Sequence, residues 1–171
     1  MIMLKEKKSN LVNSKTSNNL IFSYGTLKRG FPNYSIMEDI NASFIADAVT
    51  KFKYPLLQAG KWNAPFLIHQ KNYPGSFHVK GELFEVDKNG MSVLDEFEGV
   101  NNRYYKRLKI EIQQIAEEGN NISKSAWCYF RFQNSAHLLA NSSRFLPFFG
   151  NEELKKYTPV HLRPSGWKEN L

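Results

Sequence analysis

Two stretches of this chain alternate residue by residue between apolar and polar side chains, which is the period of a strand buried on one face and not that of a helix. In one, Phe77, Val79, Gly81 and Leu83 alternate with His78, Lys80 and Glu82; in the other, Leu108, Ile110 and Ile112 alternate with Lys109, Glu111 and Gln113. Two further stretches are apolar on both sides. Leu20-Ile21-Phe22-Ser23-Tyr24 ends abruptly at Gly25, and residues 126–132 carry aromatic side chains on both faces. The chain has 171 residues, 42% of them hydrophobic, which suffices for one proper core and hence one domain. Helices are few and short. The clearest begins at Asp87, a capping residue, presents Met91, Leu94 and Phe97 on one side, and ends at Gly99 in the left-handed conformation. The polar residues 117–121 read as a surface hairpin loop between two strands.

Residues 1–19 are rich in Ser, Asn and Lys and have neither period. They cannot bury enough surface to offset the entropy of ordering, so they read as a disordered leader ahead of a domain spanning residues 20–171. No apolar run approaches the roughly 20 residues that a membrane-crossing helix needs, and the first residues lack the apolar core of a secretory signal. With a single cysteine, Cys128, no internal disulfide can form. Together these features point to a cytoplasmic protein with no membrane partner. The net charge of +7 raises the question of nucleic acid. The cations, however, are dispersed: Lys5, Lys7 and Lys8 in the leader, Lys106, Arg107 and Lys109 about one strand, and the rest scattered. That pattern reads as a solvated face rather than a phosphate-binding site. His69, His78, His137 and His161 show no metal-ligand spacing, no Ser–His–Asp arrangement is recognisable, and Cys128 sits among strand residues as a buried thiol would. The reading therefore assigns no metal and no cofactor.

Asp95, Glu96 and Glu98 crowd the end of the proposed helix. At about 100° per residue, Glu98 lies about 40° from Leu94 and between Met91 and Phe97, whereas Glu96 points to the opposite side. A carboxylate on the apolar face is desolvated, and at a helix C-terminus it also meets the negative end of the dipole. Both effects raise its pKa toward the range of a general base. The alternative is that Glu98 frays into solvent or pairs with Arg103 or Lys106. Periodicity leaves both open.

Tyr24-Gly25-Thr26-Leu27-Lys28-Arg29-Gly30 puts a glycine directly after a strand, where backbone N–H groups can turn outward as an oxyanion site, although a plain turn has the same signature. It has neither the Gly-Lys-Ser/Thr ending of a Walker loop nor a dinucleotide fingerprint. This loop with Pro32-Asn33, then Tyr54-Pro55-Leu56 and Ala59-Gly60, then Gly81-Glu82-Leu83-Phe84-Glu85-Val86-Asp87, then Leu94-Asp95-Glu96-Phe97-Glu98 and Tyr104, resembles in content and order the γ-glutamyl cyclotransferase-like family. Within it, Tyr-Gly-Thr-Leu resembles the γ-glutamylamine cyclotransferases and their AIG2-like relatives. A weaker echo lies around Leu162-Arg163-Pro164.

The resemblance implies an α+β fold: a compact mixed β-barrel flanked by short helices, with the glycine loop and Glu98 meeting in one pocket. It implies a cofactor-independent γ-glutamylamine cyclotransferase that closes γ-glutamyl amines such as γ-glutamyl-ε-lysine to 5-oxoproline and the free amine. By this resemblance Glu98 falls on the family's catalytic glutamate and is expected to be the general acid/base. The resemblance likewise implies Tyr24, Gly25, Thr26, Leu27 and Tyr104 as substrate-binding residues, the two tyrosines either walling the pocket, bonding the substrate carboxylate or packing. The family's last strand presents a tyrosine to the site, but the register of Tyr129-Phe130-Arg131 does not say whether Tyr129 is that residue. The alternatives are an AIG2-like binding module without turnover, or a cyclotransferase for another γ-glutamyl donor.

Overall fold

The computed structural model describes residues 18–116 and 119–166. The leader up to residue 17, and positions 117 and 118 of the hairpin loop, lie outside the described residues.

Seven strands are described: β1 (Asn19–Ser23), β2 (Ser43–Tyr54), β3 (Leu56–Ala59), β4 (Ala64–Leu67), β5 (Phe77–Val86), β6 (Tyr105–Gln114) and β7 (Ile122–Arg131). Five close into a barrel in the order β1-β5-β2-β6-β7. All its pairings are antiparallel except the closing one, where Ile21 meets Trp127 of β7 in parallel. The barrel is therefore mixed. β3 and β4 form a separate hairpin whose register sets Leu56 opposite Leu67.

The apolar run at the start of the domain has its explanation here. Phe22 and Tyr24 point into the barrel with Leu83, Ile110, Ile112, Cys128 and Phe130, while Ile21 points outward with Phe84, Val86, Met91, Leu94 and Tyr129. The outward set is covered by two helices, α1 (Tyr34–Asp39) and α2 (Lys88–Glu98), with Met37 of α1 fully buried. Strands that are apolar on both faces thus serve two cores, one inside the barrel and one beneath the helices. Gly81 lets β5 cross the end of β1 at close range, since a Cβ there would collide with the Ser23 carbonyl and the Phe22 ring.

Alternation alone does not reveal β2. Its ladder with β5 shifts register between Phe44 and Ala46 and again between Val49 and Lys53, and each irregularity resets the two-residue period. The strand of residues 126–132 starts earlier than the aromatic run suggests, at Ile122, and ends at Arg131. Beyond it come α3 (Ser135–Ala140), α4 (Asn151–Leu154) and a 3₁₀ turn (Val160–Leu162), which carry the chain back to the open end of the barrel. No helix among the described residues is long and apolar enough to cross a membrane.

Candidate active site

Helix α2 begins where its sequence says it should, with Asp87 accepting a hydrogen bond from the Gly90 N–H at 2.7 Å. It ends at Gly99, whose φ of 67° is left-handed and whose N–H returns to the carbonyls of Asp95 and Glu96. Leu94 and Met91 are buried against the barrel, Glu96 is exposed, and Glu98 in the last turn is partly buried. The end of the helix is fastened by Asp95. Tyr129 donates its hydroxyl hydrogen to Asp95 Oδ1 at 2.8 Å, and the Arg107 guanidinium meets Oδ2 at 2.8 Å. Asp95 thus joins β6 and β7 to the turn that carries Glu98. Gly99 serves a second purpose, because a Cβ on it would overlap the Tyr104 ring, which packs there.

The glycine loop leaves β1 at the same end. The buried Tyr24 donates its hydroxyl hydrogen to the Tyr129 carbonyl at 2.9 Å. Gly25 passes against Pro65 of β4, with only 3.0 Å from where its Cβ would stand to Pro65 Cγ. Asn33 closes the loop: its N–H donates to the Thr26 carbonyl at 3.0 Å, and its side-chain amide to Thr26 Oγ1 at 2.8 Å and the Tyr157 hydroxyl at 3.3 Å. Among the described residues the N–H groups of Thr26 and Leu27 make no backbone–backbone turn or loop hydrogen bond. Lys28 faces away, donating to the Phe149 carbonyl at 2.6 Å, and Arg29 pairs with Glu82.

One cavity receives Tyr24, Gly25, Thr26, Leu27, Glu98 and Tyr104 together. Its wall also includes Ser23, Asn33, Tyr105, Tyr129, Tyr157 and Arg163. Several of these were not legible in advance. Tyr129 is brought to the wall by the pairing of Arg107 with Tyr129, and Tyr105 by that of Tyr105 with Arg131, registers that the aromatic run does not fix. Tyr157 and Arg163 arrive from the tail, where the Leu162-Arg163-Pro164 echo was the available signal.

The electrostatics of the wall are distinctive. Burial pushes the Tyr24 hydroxyl pKa well up, and neighbouring Tyr105, Cys128 and Glu98 push it further. Tyr105 is raised by burial and then by Glu98; Tyr129 is raised by burial and then by its bond to Asp95. These three hydroxyls stay protonated at neutral pH and act as donors, not bases. Cys128 is fully buried, and burial followed by the Glu98 charge pushes its thiol up, so it is not a nucleophile. Glu98 and Arg163 are the charged side chains among the described residues of the wall. No group of three or more His, Cys, Asp or Glu among the described residues is disposed to hold a metal ion.

The profile of the family described as "Gamma-glutamyl cyclotransferase, AIG2-like" matches residues 21–146. The chain belongs to that family. Among curated relatives, the gamma-glutamylaminecyclotransferase of Rattus norvegicus is 38% identical over 136 residues, 77% of this chain and 87% of its own length. A protein of Arabidopsis thaliana, provisionally named a gamma-glutamylcyclotransferase, is 46% identical over 98 residues, 54% of this chain and half of its own length. The crystal structure of a mouse AIG2-like protein superposes with a TM-score of 0.72 at 30% identity, covering 85% of this chain and 99% of the mouse chain. The barrel with its flanking short helices is thus the family's fold.

Proposed function

We propose that this family member is a γ-glutamylamine cyclotransferase in which Glu98 is the general acid/base and the N–H groups of the glycine loop form the oxyanion site. One observation carries the reading: Glu98, at the end of α2, and the loop following β1 line a single cavity although some seventy positions separate them in sequence. The names of the relatives support the amine as leaving group, as does the resemblance of Tyr24-Gly25-Thr26-Leu27 to the amine branch.

The substrate supplies its own nucleophile. The α-amine of a γ-glutamyl group is an ammonium near neutral pH and must lose a proton before it can attack. Glu98 takes that proton; the amine nitrogen then bonds to the γ-carbonyl carbon and closes a five-membered ring. Because attack is intramolecular, a cavity that holds the chain curled supplies much of the acceleration by orientation alone. As the carbonyl oxygen becomes anionic, the N–H groups of Gly25, Thr26 or Leu27 stabilise it, a contribution of about 10²–10³ in rate per donor. The amide C–N bond then breaks, and the departing nitrogen takes protons given up by the α-ammonium, Glu98 passing them across. No water is consumed and no covalent enzyme intermediate forms.

The test is 5-oxoproline release from γ-glutamyl-ε-lysine, glutathione and γ-glutamyl-alanine by the wild type and by Glu98→Gln, with folding checked by circular dichroism. The expected result is turnover of the lysine compound and a loss of about 10²–10⁴ in the variant. Turnover of another donor instead keeps the mechanism and changes the substrate. Absence of turnover with every donor refutes the enzyme reading and leaves the binding module.

A further inference from the structure

The mechanism above uses the amine and the carbonyl of the γ-glutamyl group but not its α-carboxylate. That carboxylate is on the same carbon as the reacting amine, so it enters the cavity with it. A full negative charge there is costly unless a cation or several donors receive it, and Glu98 has the wrong sign.

Two arginines are to be weighed, one buried and one partly buried. Arg131 is almost fully buried, stacked over Phe66 and Tyr105, with its Nε donating to the Gln133 carbonyl, but it does not form part of the wall. Arg163 does. Its side chain is placed by the tail: Nε donates to the Thr158 carbonyl at 2.9 Å, and the guanidinium carbon lies 5.2 Å from the centre of the Tyr157 ring and 5.6 Å from that of Trp62. The tail is in turn tied to the rest of the site. Thr158 donates its N–H to the Trp62 carbonyl at 3.0 Å, and the Tyr157 hydroxyl accepts from Asn33, which closes the glycine loop. A guanidinium held against two aromatic rings, with its Nε on the Thr158 carbonyl, presents the planar fork of donors that a carboxylate's two oxygens match.

Arg163 and Glu98 line the same cavity. Burial raises the Tyr105 hydroxyl pKa, the Glu98 carboxylate raises it further, and Arg131 and Arg163 oppose this, so the charges of Glu98 and Arg163 are both felt at one hydroxyl on the wall. A zwitterion carrying its ammonium and carboxylate on one carbon is the complement of such a pair.

Resting on the cyclotransferase reading, we propose that Arg163 receives the α-carboxylate of the γ-glutamyl group while Glu98 receives its α-amine, so that the cavity selects the zwitterionic end of the donor whatever amine it carries. Arg163 is then the specificity-determining residue for that end.

The experiment compares γ-glutamyl-ε-lysine with its analogue in which the α-carboxylate is a carboxamide, using the wild type, Arg163→Gln and Arg163→Lys. In the wild type the carboxamide is expected to lose roughly 10- to 100-fold in kcat/KM, the range for a charge-assisted contact. In Arg163→Gln the carboxylate and carboxamide forms come within a few-fold of each other, and Arg163→Lys restores part of the preference. Because the readout is a ratio between two substrates of one variant, a loosened tail, which lowers both, does not mimic it. An unchanged ratio in Arg163→Gln overturns the assignment. If the wild type turns over no donor, the cyclotransferase reading fails by itself, and binding decides the present one. Titration calorimetry with 5-oxoproline and 5-oxoprolinamide then shows either a carboxylate preference that Arg163→Gln removes, which supports the assignment, or none, which refutes it.

Discussion

Replacing Gly99 by alanine tests whether the end of α2 and the wall of the cavity are one construction. Two penalties are expected. The residue has a φ of 67°, and a side chain in the left-handed region costs about 1–2 kcal/mol. The new Cβ would also overlap the Tyr104 ring, and overpacking of this kind adds about 1–3 kcal/mol as the ring is forced aside. The sum, about 2–5 kcal/mol, corresponds to a fall in Tm of roughly 4–20 °C for a chain of this size. Gly30 is the internal control: its φ is 75°, yet nothing lies within 4 Å of where its Cβ would stand. Gly30→Ala should therefore suffer the backbone penalty alone. Urea unfolding of both variants isolates the collision as their difference, expected to be about 1–3 kcal/mol. Turnover by Gly99→Ala should also fall below that of Gly30→Ala, because Tyr104 and the turn bearing Glu98 both move. If the two variants unfold within about 0.5 kcal/mol of each other, a margin typical of substitutions that touch nothing, the account of Gly99 as the spacer for Tyr104 is wrong.

Two further expectations concern the tyrosines. Tyr129→Phe removes the hydroxyl that donates to Asp95 and leaves that carboxylate to Arg107 alone; a loss of about 1–2 kcal/mol in stability is expected, with a lower kcat at nearly unchanged KM, and an unaffected kcat would show that Asp95 does not position Glu98. Stability should also fall in alkali. Burial holds the hydroxyls of Tyr24, Tyr105 and Tyr129 well above the ordinary tyrosine value and that of Tyr54 at about 12. Above about pH 10 the unfolded chain releases these protons and the native state keeps them, so each group's contribution, complete below that pH, declines by up to about 1.4 kcal/mol per unit. Lys28, whose pKa burial lowers, acts in the opposite sense, but it stands against these four tyrosines and the Cys128 thiol, which burial also raises. A urea midpoint that stays level from pH 9 to beyond 11 would contradict the burial of these hydroxyls.

The sequence by itself determined those parts of the protein that are set by local geometry. Alternation located β5 and β6, because a two-residue period has no other economical fold. Asp87 and Gly99 marked the ends of α2, because capping and the left-handed turn are decided within four residues. The angular position of Glu98 relative to Leu94 followed from helix geometry, and so did the contrast with exposed Glu96. The motif order added the fold.

What only the tertiary structure decided depends on registers and on distant segments. Whether Tyr129 faces the cavity depends on its pairing with Arg107 across a hairpin, and shifting that ladder by one residue would turn it to the other side. β2 stayed hidden because its bulges interrupt the period by which strands are recognised. Arg163 lies well beyond the last strand, in a tail whose composition says only that it is basic. Its place in the wall comes from Thr158, Trp62, Tyr157 and Asn33, contacts between segments that no local rule connects. Glu98 was legible as an unusual carboxylate. That it shares a cavity with the glycine loop and with Arg163 is a consequence of closing the barrel, which brings the end of β1 beside the end of α2.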